Sequence, residues 1–314
     1  MNLTEAKKKM PISGRIKKEF KKHKYVYLMM IPVALYYLIF YYGPMAGIVI
    51  AFKDYNIGKG IIESSWVGLK HFRAFFDDIY CVRIIKNTFL ISFYSLLVGF
   101  PAPILFALLL NEIKSMRYKK TIQTITYLPH FISLVVICGM ITDFFSAEGI
   151  ITSFLTKLGM PELNYLGEAK YFRPIYVLTD IWQKIGWDSI IYLAALTGVD
   201  ESLYEAAAID GARKFRRIWH ITIPSIMPTI IIMLIMRVGS IMSLGYEKII
   251  LLYSPATYET ADIISSYVYR RGLGGAAPSY SYSSAIGMFQ SVVNLTLLLT
   301  VNRISAKVSE TSLF

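Results

Sequence analysis

Long uncharged runs set the pattern of this chain. No Asp, Glu, Lys or Arg occurs within residues 25–52, 87–110 or 121–142. A helix crosses a roughly 30 Å hydrocarbon core with about 20 apolar residues. Each run meets that length, and buried helices of a large soluble protein would be shorter and more amphipathic. Three further apolar runs, residues 174–199, 221–245 and 282–302, carry a few polar groups. The pattern predicts six transmembrane helices with both termini on one side. Pro32, Pro44, Pro101, Pro103 and Pro129 fall inside the runs. Proline removes a backbone donor, so kinks are expected there.

Composition agrees with a membrane protein: of 314 residues 55% are hydrophobic, and the mean hydropathy is +0.48. The predicted fold is all-α, a polytopic helical bundle. Residues 25–314 form one integral membrane domain behind a basic segment, residues 1–24. The run behind that segment is about twice the length of a signal-peptide core, and no small-residue cleavage site follows, so it reads as a retained anchor. Residues 16–24 are amphipathic and basic. They either lie on the anionic inner leaflet or form a disordered cationic tail.

The net charge of +12 orients the chain. With the N-terminus inside, segments 1–24, 111–120, 200–220 and 303–314 carry about +11 of it, and cytoplasmic segments collect Lys and Arg. Both termini are therefore expected in the cytoplasm. These cations flank spans and build no basic surface domain, so no nucleic-acid partner is expected. Two outside segments, residues 53–86 and 246–281, exceed simple turns. The second is expected as an interfacial helix or packing loop, or as a lid or docking surface over a pathway.

The fourth run reads YVLTDIWQKIGWDSIIYLAAL. Asp180, Gln183, Lys184, Asp188 and Ser189 cannot face hydrocarbon. Asp180, Lys184 and Asp188 repeat at four-residue spacing and share a helical face. They form either a closed ion-paired ladder or one wall of a watery path. Carboxylate, amide and indole (Trp182, Trp187) suit a sugar, which offers hydroxyls at its rim and C–H faces; the same set could be an interfacial belt and packed core. Arg237 in the fifth run needs Asp180 or Asp188 as partner; left free, it favours an acidic substrate such as a uronate. Gln290 and Asn294 share a face, either as interhelical glue or as path lining.

No catalytic constellation accompanies these groups. His23, His71, His130 and His220 are scattered, and HExxH, GxSxG and GxxxxGK[ST] patterns are missing. No nucleotide site, metal site or enzymatic activity of this chain is predicted. Cys81 and Cys138 fall in an outside loop and a span, so no disulfide is expected.

The fourth and fifth runs are joined by EAAAIDGARKFRRIWHITIP, beginning at Glu205. Ser202 and Glu205 fit a capping box, the alanines favour helix, and Gly211 permits a left-handed turn. Phe215, Ile218 and Trp219 share the apolar face of a predicted second short helix. The expected shape is a compact helix–Gly–helix on the cytoplasmic side whose small side chains admit another backbone.

This stretch resembles the EAA signature of binding-protein-dependent ABC importer permeases. Glu205, Ala206, Ala207, Gly211, Ile218, Ile221 and Pro224 match it, and Ile223 replaces the usual Leu. The likeness extends from about residue 25 to the C-terminus. The stretch LLYSPATYETADIISSYVYRRGL further resembles sugar permeases for oligosaccharides and uronate-containing chains, akin to the larger subunit of maltose-type transporters. Amino-acid permeases of this kind usually have five spans.

The resemblance implies a type I importer permease in the bacterial inner membrane. Its coupling region, residues 200–220, would dock into a cytoplasmic ATPase: Glu205 would pair with a basic group, Gly211 would set the turn, and Ala206, Ala207, Asp210 and Pro224 complete the element. Partners would be a second homologous permease, two ATP-binding-cassette subunits that hold ATP and Mg, and an external solute-binding protein that delivers the sugar. Family placement of the path in the fourth to sixth spans favours Asp180, Gln183, Trp187, Asp188, Arg237 and Asn294. A stand-alone or ion-coupled carrier or channel for a small polar solute is the alternative, and it leaves Glu205 to Gly211 without a role. The charge pattern makes one direct prediction: a cysteine at position 213 should react with an impermeant thiol reagent only from the cytoplasmic face. Reaction from outside would invert the topology.

Overall fold

The computed structural model describes residues 21–274, 278–309 and 312–313. Of the basic lead expected over residues 16–24, positions 16–20 lie outside the described residues.

The chain is helical apart from one small hairpin. It begins with α1 (Lys24–Phe52), then β1 (Lys53–Asn56) pairs antiparallel with β2 (Ser64–Trp66). There follow α2 (Lys70–Phe76), α3 (Cys81–Asn111), α4 (Met116–Phe131), α5 (Leu134–Phe145) and α6 (Ile150–Lys157). Next come α7 (Ala169–Leu196), α8 (Glu201–Ile209), α9 (Lys214–Gly239), α10 (Tyr246–Leu252), α11 (Ile264–Gly272) and α12 (Tyr280–Ser309). Among the described residues, α1, α3, α5 with α6, α9 and α12 are long and apolar enough to cross a membrane. With 28 residues, α7 reaches about 42 Å at 1.5 Å per residue, yet it carries the charged run. It supplies the sixth candidate crossing.

Prolines shape the long helices in a repeated way. Turns Leu38–Tyr42, Ser95–Gly99 and Ile218–Thr222 widen to π geometry, each ending two residues before Pro44, Pro101 or Pro224. A proline lacks the N–H that the carbonyl four residues back would accept, and its ring crowds that carbonyl. One extra residue in the turn relieves the clash without ending the helix. The kinks expected at Pro44 and Pro101 are therefore wide turns, and Pro224, not among the expected kinks, has one too.

Two expectations about helix continuity are corrected. Residues 121–142 are not one helix. After Pro129 the chain leaves helical geometry at Ile132 (ψ 138°), and Ser133 caps α5 by accepting the Val136 N–H at 3.4 Å. Nor is there a separate second short helix after Gly211. Lys214–Arg217 runs through its π turn into Ile223–Gly239 as the first turn of α9, leaving Phe215 84% and Trp219 67% exposed.

Three apolar cores hold the bundle. Ala107 and Leu108 of α3 meet Tyr192 and Leu196 of α7 and Ile226 of α9. Ile137 and Ile141 of α5 pack with Phe172 and Tyr176 of α7 and Ile249 of α10. Phe75 of α2 joins Ile84 of α3, Tyr267 of α11 and Ile286 of α12. The segment 246–281, predicted to lie outside, is thus mostly packed protein over its described residues. Its Asp262 is fully buried, held by Arg270 at 2.7 Å and Arg83 at 3.5 Å, while Asn87 donates to the Asp262 and Glu259 carbonyls. Nearby, Asp78 accepts from the hydroxyls of Tyr267 and Tyr282. Burial pushes the Asp78 carboxyl up, but bonds from Tyr267, the Tyr80 N–H and Tyr282, with the Arg271 charge, outweigh it and hold it below the usual carboxylate range. Cys81, at the start of α3, and Cys138 are buried free thiols.

In contrast, Lys24–Met45 of α1 buries no side chain within the chain, and only the Ala46–Phe52 end packs, on α12. Helices α4 and α7 cross where Gly186 meets Thr126. A Cβ at Gly186 would sit 2.3 Å from the Thr126 carbonyl oxygen. We expect Gly186→Val to push α4 away and to destabilise the purified protein by at least about 2 kcal/mol, read as a lower midpoint in thermal unfolding. An unchanged midpoint would refute the close crossing.

Candidate transport site and coupling element

The polar residues of α7 open onto a cavity between α3, α7 and the end of α9. Ser92, Ser95, Tyr176, Asp180, Lys184, Arg237, Ser240 and Ser243 supply its polar lining. A second cavity lies against the first, lined by Phe100, Pro103, Asp188, Tyr192, Met233 and Met236. Arg237 and Ser240 belong to both. The guanidinium therefore stands between the Asp180 and Asp188 sides, and among the described residues it has no ion pair within 4.0 Å.

The four-residue ladder forms only in its first rung. Lys184 Nζ lies 2.8 Å from Asp180 Oδ1, while Asp188 has no ion pair among the described residues. A second cation, which the sequence analysis placed in an outer loop, reaches the same oxygen: Lys248 Nζ of α10 at 3.6 Å. Lys248 is buried, with the Tyr176 ring under its ammonium. No spacing rule links residues 180 and 248; only the folding of α10 onto α7 and α5 brings them together.

The chain between α9 and α10, residues 240–245, is unwound beside this cavity. Its backbone groups find side-chain partners instead of helical ones. Ser92 Oγ donates to the Ile241 carbonyl and Gln290 Nε2 to that of Met242 at 2.6 Å. The Met242 N–H donates to Asn294 Oδ1 at 3.0 Å, and Asn294 Nδ2 to Ser243 Oγ at 2.7 Å. Non-helical backbone at membrane depth requires such satisfaction. Asn294 thus holds the break and does not line either cavity. Trp187 stacks on His130 of α4 at 4.4 Å and lies outside both linings. Gln183 is buried with its Oε1 unbonded, also outside them.

At the other end of α9 lies the element that contains Glu205 to Gly211. Its cap differs from expectation: Asp200, one residue before the helix, accepts the Ser202 N–H at 2.9 Å, so Ser202 is helical and the Ser202–Glu205 capping box does not form. Bonds from Ser202 hold the Asp200 carboxyl below its usual range. Helix α8 ends as Gly211 takes φ +73°, with the Ala212 N–H reaching Ala207 O at 2.8 Å and the Gly211 N–H reaching Ala208 O at 3.1 Å. This pair of bonds is the Schellman closure that favours glycine. Glu205, Ala206 and Asp210 are exposed, and Ala207 is half-buried. Tyr204 and Thr222 hydroxyls meet at 2.9 Å, joining α8 to the base of α9 near Pro224.

Residues 99–310 match the model of the binding-protein-dependent transport system inner membrane component family. The chain belongs to this family. It is a transport subunit of the inner membrane with several crossings, and the family's permeases are not enzymes. The permease is 43% identical to Protein LplB of Bacillus subtilis (strain 168), over 94% of this chain and 92% of that one. It is 42% identical to the polygalacturonan/rhamnogalacturonan transport system permease protein YteP of the same organism, over 93% and 91%. A chain in the crystal structure of a bacterial alginate ABC transporter, in complex with an alginate pentasaccharide-bound periplasmic protein, superposes with a TM-score of 0.87 at 43% identity. The match covers 95% of the permease and all of that chain.

Proposed function

We propose that the permease forms, with a second homologous permease, the pathway by which an ABC importer admits an acidic oligosaccharide. The observation that carries this reading is a surplus of cations: Lys184, Lys248 and Arg237 stand about the two carboxylates Asp180 and Asp188, and among the described residues Arg237 has no ion pair. A cavity at membrane depth with excess positive charge calls for an anion, and serine hydroxyls beside it suit sugar hydroxyls. The names of the relatives point the same way: alginate and polygalacturonan are chains of uronates. Arg237 faces the sugar in this reading, Asp180 and Asp188 line the path on either side of it, and Gln183, Trp187 and Asn294 support the walls.

The remaining parts follow from the same machine. Exposed α8 docks on one of two cytoplasmic ATPases that bind ATP and Mg, with Glu205 and Gly211 as the contact and the turn. Both termini are cytoplasmic, and an external binding protein delivers the substrate. The Lys24–Met45 length of α1, which buries no side chain among the described residues, supports a second permease, since an apolar helix surface of this length calls for a cover.

Two measurements test the proposal. Glu205→Lys should abolish stimulation of ATPase activity by the loaded binding protein in the assembled importer while leaving assembly intact. Persisting stimulation would remove α8 from the coupling role. Arg237→Met should raise the KM for import of free-acid alginate or galacturonate oligomers about tenfold, through loss of one charge contact, and change import of their methyl esters much less. Equal effects on acid and ester would overturn the acidic-substrate reading.

A further inference from the structure

Asp180 meets more positive charge than one carboxylate can satisfy, and its two lysines are placed very differently. Lys184 is 2.8 Å from Oδ1, its side chain is 42% exposed, and it lines the cavity. Lys248 is 3.6 Å from the same oxygen and only 4% exposed, and its Nζ makes no hydrogen bond. Apart from Asp180, the Tyr176 ring, 5.0 Å away, is what stabilises that ammonium. A buried ammonium is costly unless it is paired and hydrogen-bonded. Lys248 therefore gains if Asp180 turns fully towards it. What prevents this is the closer claim of Lys184, and releasing Lys184 requires another anion for it.

A sugar carboxylate entering the cavity is such an anion, because Lys184 and the unpaired Arg237 both line it. We infer that Lys248 is the reserve counter-ion of Asp180, so that the permease exchanges an internal ion pair for one with its substrate. In the empty cavity Asp180 stands in for the substrate carboxylate on Lys184. With an acidic sugar present, Lys184 and Arg237 hold the sugar and Asp180 closes on Lys248. No proton moves and no bond is made or broken; one carboxylate replaces another. The exchange avoids leaving Lys184 bare when the sugar departs, and it avoids Asp180 repelling the sugar when it arrives. A neutral sugar cannot release Lys184 and drives no exchange. Lys248 also sits three residues past the unwound segment, so a tighter bond to Asp180 draws α10 towards α7.

This inference rests on the acidic-substrate reading, and one experiment separates the two. The assembled importer with its binding protein is placed in proteoliposomes. Import of galacturonate oligomers is compared with that of their methyl esters. If the wild type shows no preference for the free acid, the acidic-substrate reading falls, and the inference with it. Given that preference, Lys248→Met leaves Asp180 no partner but Lys184, where it competes with the sugar. The free-acid KM should rise about tenfold while kcat changes less than about twofold. Removing the competitor as well, in Asp180→Asn/Lys248→Met, should return KM to within about twofold of wild type. Lys248→Arg keeps the charge and should behave as wild type. The inference is overturned if Lys248→Met imports the acid with wild-type KM, or if the double variant is no better than the single. It is equally overturned if Lys248→Arg matches Lys248→Met, or if Lys248→Met fails to assemble on size exclusion, since Lys248 would then be needed only for folding.

Discussion

Inside a bilayer, a charge or a free peptide group has no water to turn to, and protein must answer it. That constraint organises the centre of this molecule. Where α9 ends at Gly239 the backbone leaves the helix, and Ser92, Gln290 and Asn294 from two other helices take over its hydrogen bonds. The unwound chain can then bring Lys248 back against Asp180. Asp180 of the fourth span and Gln290 and Asn294 of the sixth thereby have tasks set by this one discontinuity.

The same helix that ends at the cavity begins at the coupling element. Of its 26 residues, Lys214 is the first and Arg237 lies near the far end, about 35 Å away at helical rise. The Tyr204–Thr222 contact joins α8 to its base. Helix α8 and the cation that both cavities share are thus attached to opposite ends of one helix. The π turn before Pro224 sits at the foot of this lever, where an extra residue per turn loosens the helical ladder.

The segment 246–281 is held in a different way. Asp262, fully buried among Arg270, Arg83 and Ser266, fastens α11 to α3 through paired charges, and breaking such a buried pair is strongly destabilising. Removal of one partner would leave a charge uncompensated in the core, whereas the break at 240–245 is held by neutral hydrogen bonds and by packing of Met242.

The sequence by itself determined the helical class, the charged character of the fourth span, the turn at Gly211 and the family. These rest on local rules: run length against bilayer thickness, charge against hydrocarbon, and a glycine where φ must be positive. Local rules also misplaced features whose alternatives differ by one or two residues. Asp200 and Ser202 are both good caps, and only the helix start chooses between them; Pro129 allowed a kink where the chain instead broke and restarted at Ser133. The partnership of Lys248 with Asp180 was decided only by tertiary structure. Sixty-eight residues separate them, and the ion pair exists because α10 folds back against α7 and leaves that ammonium no other anion.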